Sequence, residues 1–158
     1  MKRLVAAPLL ALAMAWPAVA TAQASYSQAT GPSTPAADAS AEIRDVLQRH
    51  GRAWYEGNSA LMAPTLHPEY RRATIRHSPT KADAVDVASG LALLDMTDRG
   101  LGRLTNATAR KAEVTELRVD GGMAWARLAL ADRVELVQLA RWNNQWRVIA
   151  SLVERNDP

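Results

Sequence analysis

His50 is the residue whose type and position could do the most chemistry. It stands in a stripe with Ile43, Val46, Leu47, Ala53 and Trp54, spaced with a helical period. An imidazole on such a face points at an interior, where it could act as a general base or hold a polar ligand. The plainer reading is a partly buried His satisfied by a backbone carbonyl, since buried polar groups need a partner. Trp54, Tyr70, Trp125, Trp142 and Trp146 could line an apolar pocket that stacks a flat ligand. With no Phe in the chain, the same residues must also supply most of the aromatic packing. Arg71 and Arg72 alternate along one segment. One of them is placed to pair with an anionic ligand at a cavity mouth, or else with Glu69. The candidate ligand-binding set is therefore His50, Trp54, Tyr70, Arg71 and Trp125, and the only catalytic candidate is His50.

Other chemistries are excluded or disfavoured. The chain has no Cys, which removes thiol catalysis and Cys-based metal sites. His67, Glu69 and His77 have ligand-capable side chains, but their spacing matches no metal site, so no metal and no cofactor is expected. No phosphate-binding or dinucleotide glycine motif and no G-x-S-x-G is present. The 16 Arg are scattered among Asp and Glu, without the basic stripe interleaved with aromatics that a nucleic-acid binder shows.

The N-terminus reads as an export signal. Met1-Lys2-Arg3 is a short positive start, and Leu4 to Trp16 is an uncharged apolar run too short to span a bilayer core. Ala18-Val19-Ala20-Thr21-Ala22-Gln23-Ala24 offers overlapping A-x-A cleavage sites, with cleavage expected after Ala22 or Ala24. Residues 1–24 are thus expected to be a signal peptide and the periplasm the destination, with no membrane association after cleavage. The remaining 134 residues suit one domain that must stand on packing without disulfides. Loss of Lys2 and Arg3 lowers the basic count from 19 to 17 against 16 acids, a net charge of +1.

The Ser-, Ala-, Thr- and Pro-rich residues 25–39 read as a flexible tether, and 40–156 as the folded domain. Ser40 is placed to cap a first helix that Gly57 stops. Asn58 or Ser59 begins a short second helix, ended by His67-Pro68. Tyr70 to Arg76 predicts a strand. Thr80 and Asp83 resemble a capping box opening a third helix through Val85, Ala88, Leu91 and Leu94 to about Asp98. Four strands follow, at 112–119, 122–130, 133–142 and 145–154, with turns at Asp120-Gly121 and Asn143-Asn144. In the third of these, Val134, Leu136, Ala140 and Trp142 share one phase; in the last, Trp146, Val148, Ala150 and Leu152 do. Helices first and an antiparallel meander after them predict an α+β fold, the sheet curling around the first helix.

Several segments, taken in order, resemble the nuclear-transport-factor-2-like (NTF2-like) superfamily, in its bacterial SnoaL-like and lumazine-binding-like branch. Trp54-Tyr55-Glu56-Gly57-Asn58 is similar to the segment closing its first helix, with Asn58 in place of an Asp. Leu66-His67-Pro68-Glu69 with Arg71-Arg72, and the hairpin Val119-Asp120-Gly121-Gly122-Met123-Ala124-Trp125-Ala126, resemble two further segments. Leu136-Val137-Gln138-Leu139 through Asn143-Asn144-Gln145-Trp146-Arg147-Val148-Ile149 resembles the closing strand pair. The resemblance covers about residues 41–155. It implies a cone of N-terminal helices against a curved antiparallel sheet, and a fold in which dimers are common. Its isomerase-like and cyclase-like enzymes are implied to use an Asp on the strand after helix two and often a Tyr from helix one. Here that strand reads Tyr70-Arg71-Arg72-Ala73-Thr74-Ile75, and the helix-one position is His50.

The expected function is that of an exported small-ligand-binding or accessory protein, taking a small apolar or flat ligand in the cone. The alternatives are an isomerase, cyclase or dehydratase with His50 as base, and a protein-interaction module that forms a homodimer.

Overall fold

The structure, a computed structural model, describes residues 36–104 and 106–155. The expected signal peptide and residues 25–35 of the expected tether lie outside the described residues, as does the end of the domain at 156. The first helix, α1 (Ala36–Glu56), starts inside the span read as a tether, and Ala39 is already buried. The apolar stripe of α1 explains its orientation: Ile43, Val46, Leu47, Ala53 and Trp54 are all buried, with His50 among them. Gly57 ends the helix at φ +66°. Its N–H donates to the Trp54 carbonyl and that of Asn58 to Ala53, a Schellman closure that requires the left-handed residue. Asn58 Oδ1 then accepts the Leu61 N–H at 2.9 Å and caps α2 (Ser59–Met62), which runs on into a 3-10 turn at Ala63–Thr65.

Strand β1 (Leu66–Arg76) begins at once, so His67-Pro68 lies within a strand and does not mark a helix end. The predicted third helix is corrected in its first half. Residues Ala84–Ser89 form strand β2, paired antiparallel with β1. Val85 and Val87 face the same side at a two-residue period, and backbone pairing with β1 outweighs the i, i+3 spacing that suggested a helix. The helix α3 (Gly90–Asp98) starts only after Ser89, whose Oγ accepts the Ala92 N–H. Four strands follow: β3 (Ala112–Asp120), β4 (Met123–Leu130), β5 (Arg133–Trp142) and β6 (Gln145–Arg155).

The six strands form one sheet in the order β2-β1-β6-β5-β4-β3. Every neighbouring pair is antiparallel except β1 with β6. The curved sheet lays α1 and α3 against one face, giving the α+β cone. The β5–β6 turn is as expected: Asn143 and Asn144 take φ 48° and 60°, the two-residue turn that matches strand twist. In β3–β4 the turn residues are Gly121 and Gly122, since Asp120 pairs with Met123. Among the described residues no helix is long and apolar enough to cross a membrane.

One phenol ties the end of α1 to the sheet. Tyr55 Oη donates to the Lys111 carbonyl at 2.6 Å and accepts the Ala131 N–H at 2.7 Å. Burial pushes its pKa above the ordinary phenol value. Tyr55→Phe leaves a carbonyl and an N–H without their partner, and is expected to cost about 1–3 kcal/mol in urea unfolding at unchanged m.

Candidate functional site

Strand phase decides which residues enter the cone, and β5 enters with the phase opposite to its apolar stripe. Arg133, Glu135, Val137 and Leu139 are buried, while Leu136 is exposed on the outer face and Trp142 is exposed at the end of the strand. In β6 the phase changes midway. Gln138 pairs with Ala150 and Leu139 with Val148, so Ile149 is bulged out of the ladder. Trp146 and Val148 therefore point inward, but so do Ser151 and Val153, and Leu152 is turned out.

The interior so formed holds a cluster of charged and polar groups. Arg133 and Glu135, two apart on β5, are each about 1% exposed. Arg133 Nε donates to Glu135 Oε1 at 2.6 Å, and Nη1 donates to both carboxylate oxygens of Asp132 at 3.1 and 3.2 Å. Arg72, from β1, places Nη2 3.8 Å from Glu135 Oε1. His50 Nε2, from α1, is 3.7 Å from Glu135 Oε2, too long for a hydrogen bond. The other ring nitrogen is held by Thr65: its hydroxyl donates to the Met62 carbonyl, leaving an oxygen lone pair for the His50 Nδ1–H at 3.2 Å. Both guanidiniums stack on the Trp54 indole, Arg133 at 4.4 Å and Arg72 at 5.4 Å from the ring centre. Tyr70 Oη and Ser151 Oγ share a 2.5 Å hydrogen bond beside them.

Electrostatics explains why this cluster persists out of water. Burial pushes the Glu135 carboxyl up, but the Arg133 and Arg72 guanidiniums outweigh it and hold the group well below the usual carboxylate range. Burial lowers Arg72, with Glu135 opposing. Burial raises Tyr70 beyond the ordinary phenol range, which keeps it a neutral hydroxyl.

The structure does not bring the five sequence-predicted ligand residues into one site. His50, Trp54 and Tyr70 are sealed inside, and His50 lines none of the described clefts. Arg71 and Trp125 lie on the outer face of the sheet. Arg71 contacts Glu69 at 3.6 Å, the ion pair anticipated from their spacing. His67, Glu69 and His77 do not converge. His67 Nδ1 accepts the Glu69 N–H, while His77 lies past the other end of β1 against Asp83 and Glu154. Sequence reading missed Arg72 as an interior residue, and Arg133 and Glu135 altogether. The available signal was an Arg-x-Glu pair in one phase of a strand whose other phase was already apolar.

Outside, the register builds a cleft of about 560 Å³. Arg71, Ala150, Gln138 and Trp125 stand in one cross-strand row, and Val87, Ala73, Leu152 and Leu136 in the next. Arg71 and Trp125 are three strands apart, roughly 14 Å at the usual strand spacing. The floor is aliphatic, Trp125 is 43% exposed at one end, and Arg71 and Gln138 supply the polar groups.

Residues 38–152 match the family described as "Putative lumazine-binding". Similar solved structures include an NTF2-like protein of unknown function from Shewanella baltica OS155, at TM-score 0.67 and 15% identity over 79% of this chain and 99% of that one. Another NTF2-like protein of unknown function, from Silicibacter pomeroyi DSS-3, has TM-score 0.63 and 10% identity over 78% of this chain and 100% of that one. A ketosteroid isomerase-like protein from Erwinia carotovora atroseptica SCRI1043 has TM-score 0.54 and 14% identity, covering 75% and 96%. These likenesses establish the NTF2-like fold. No match was found among curated proteins.

Proposed function

The chain belongs to the "Putative lumazine-binding" family, and on that premise we propose that it is an exported, non-catalytic domain that binds a small flat ligand on the outer face of its sheet. The observation that carries this reading is the cleft of about 560 Å³ between Arg71 and Trp125, a volume typical of small-molecule sites. Its floor of Val87, Leu136 and Leu152 and the indole of Trp125 suit the face of a ring system. Arg71 and Gln138 suit the few polar groups on its edge. The family's name points to a fused heteroaromatic ring, which has that combination of a flat apolar face and hydrogen-bonding edges. The sealed ionic interior favours a non-catalytic role, because a general base must reach its substrate. Export rests on the charged start, the short apolar run and the A-x-A sites of residues 1–24.

Titration of the purified protein with lumazine, followed by the ligand's fluorescence, tests the reading. Saturable binding is expected, weakened at least about tenfold by Trp125→Ala, the loss of one stacking partner. Saturable binding of equal strength in Trp125→Ala would refute the placement.

A second reading is favoured by a separate feature of the same face. Exposed apolar side chains extend past the cleft to Val85 and Met123, 60% and 64% exposed, more than a small ligand covers. We infer that the face can also close against a second copy of the chain. Sedimentation equilibrium would then report a dimer that Leu136→Asp dissociates. A wild-type monomer at high concentration would remove this reading.

A further inference from the structure

We propose that a second cleft, between α3 and the β5–β6 turn, binds a small amphiphilic carboxylate, its apolar body against Trp142 and Leu91 and its carboxylate toward Arg147. This cleft, of about 460 Å³, shares no residue with the outer-face cleft. Its walls come from the start of β1, the first turns of α3, and the β5–β6 hairpin. The hairpin places Trp142 there because Asn143 and Asn144 take the tight left-handed turn immediately after it.

Two features select the apolar part of the ligand. Trp142 and Leu91 remain 48% and 79% exposed, large apolar surfaces left open among the described residues. The indole of Trp142 is also held in orientation. The His67 ring meets it edge-on, with centroids 4.7 Å apart and planes at 83°. His67 is itself fixed, since its Nδ1 accepts the Glu69 N–H at 3.1 Å, which puts the proton of the neutral ring on Nε2. A pre-oriented aromatic face beside Leu66 and Leu94 is a ready surface for a ring or a short acyl chain.

Charge selects the other end. Arg147 lines the cleft, and among the described residues neither Asp nor Glu does. Its Nη1 donates to the Pro64 carbonyl and its Nη2 donates to Gln145 Oε1 at 2.7 Å. These bonds fix the guanidinium on the wall through neutral acceptors, and no carboxylate of the described residues pairs with it. They also commit the Gln145 oxygen and leave its amide N–H groups as donors. A donor-rich, cationic end joined to an apolar wall complements a carboxylate on a hydrophobic body. A neutral analogue loses the charge-assisted hydrogen bond.

The test uses 2-naphthoate and its neutral analogue 2-naphthalenemethanol, with the indole N–H resonances of the full protein followed by ¹⁵N NMR and assigned by single Trp→Phe variants. The expected result is saturable binding of 2-naphthoate that shifts the Trp142 indole, a shift at Trp125 being fitted separately as occupation of the outer-face cleft. The neutral analogue should bind at least about tenfold more weakly, as expected for loss of one charge-assisted bond. Trp142→Ala should abolish the binding, and Arg147→Gln should reduce 2-naphthoate to the level of the neutral compound. Arg147→Lys should preserve most of the preference for the anion, which separates charge from any loss of wall structure. Equal affinity for the two compounds, shifts confined to Trp125, or no saturable binding in the wild-type protein would each overturn the proposal.

Discussion

Glu135→Gln is expected to destabilise the protein by about 3–5 kcal/mol, the cost of removing one partner of a buried ion cluster. The carboxylate lies between two buried guanidiniums, with Arg133 Nε at 2.6 Å and Arg72 Nη2 at 3.8 Å. The amide keeps the shape of the side chain but removes the charge, leaving two cations out of water with, among the described residues, Asp132 alone opposite Arg133. The pH dependence gives an independent readout. Because the folded-state pKa of Glu135 is depressed, its contribution is complete above the ordinary carboxylate pKa and is lost as pH falls through the acid range toward the folded value. The gap between wild type and Glu135→Gln in urea unfolding should therefore be widest near neutrality and narrow toward acid. A double replacement of Arg133 and Glu135 by Leu should recover part of the loss, since apolar residues of similar volume often replace buried ion pairs at little cost. A loss below about 1 kcal/mol for Glu135→Gln would mean that the cluster contributes no more than exposed ion pairs do.

Gly102→Ala is the second large effect. A Cβ at that position would stand 1.8 Å from Trp54 Nε1 and 2.1 Å from its Cδ1 and Cε2, inside the indole itself. The ring cannot yield easily, because Arg133 and Arg72 stack on it. The added methyl must therefore shift the loop after α3 or tear the indole from the cluster. Overpacking of this kind costs typically about 1–3 kcal/mol, and the absence of space puts this site at the upper end or beyond. Gly122→Ala is the control. Its Cβ would meet only the Arg141 Cβ, at 4.0 Å, and an exposed site of that kind should change stability by less than about 0.5 kcal/mol. Thermal unfolding of the two variants, with the emission of the buried tryptophans as a second signal, separates them.

How far the sequence carried differs between elements for physical reasons. The helix α1 was legible because its period is local and strong, and Gly57 marks its end. The β5–β6 turn was legible because two adjacent Asn residues have few other uses. The strand β2 was misread because six residues with Val at alternate places and Leu91 and Leu94 beyond them satisfy both periods, and only pairing with β1 decides. The phase of β5 was ambiguous because both of its faces carry apolar residues, so nothing local said that Arg133 and Glu135 go inward. In β6 the bulge at Ile149 swaps inside for outside within one strand, which no alternation can reveal. The five candidate ligand residues were separated by these phases. Tyr70 and Arg71 are adjacent in sequence and stand on opposite faces of the sheet. The interior cluster joins α1, β1 and β5, and its members acquire partners only when the sheet has closed.

The most direct measurement is native mass spectrometry of the protein purified gently from the cell, comparing wild type with Trp125→Ala and His50→Ala. A small molecule retained by wild type and by His50→Ala but lost from Trp125→Ala is the predicted result, and its mass would name the ligand on the outer face. A molecule lost from His50→Ala and kept by Trp125→Ala would contradict the account and place the binding site inside the cone.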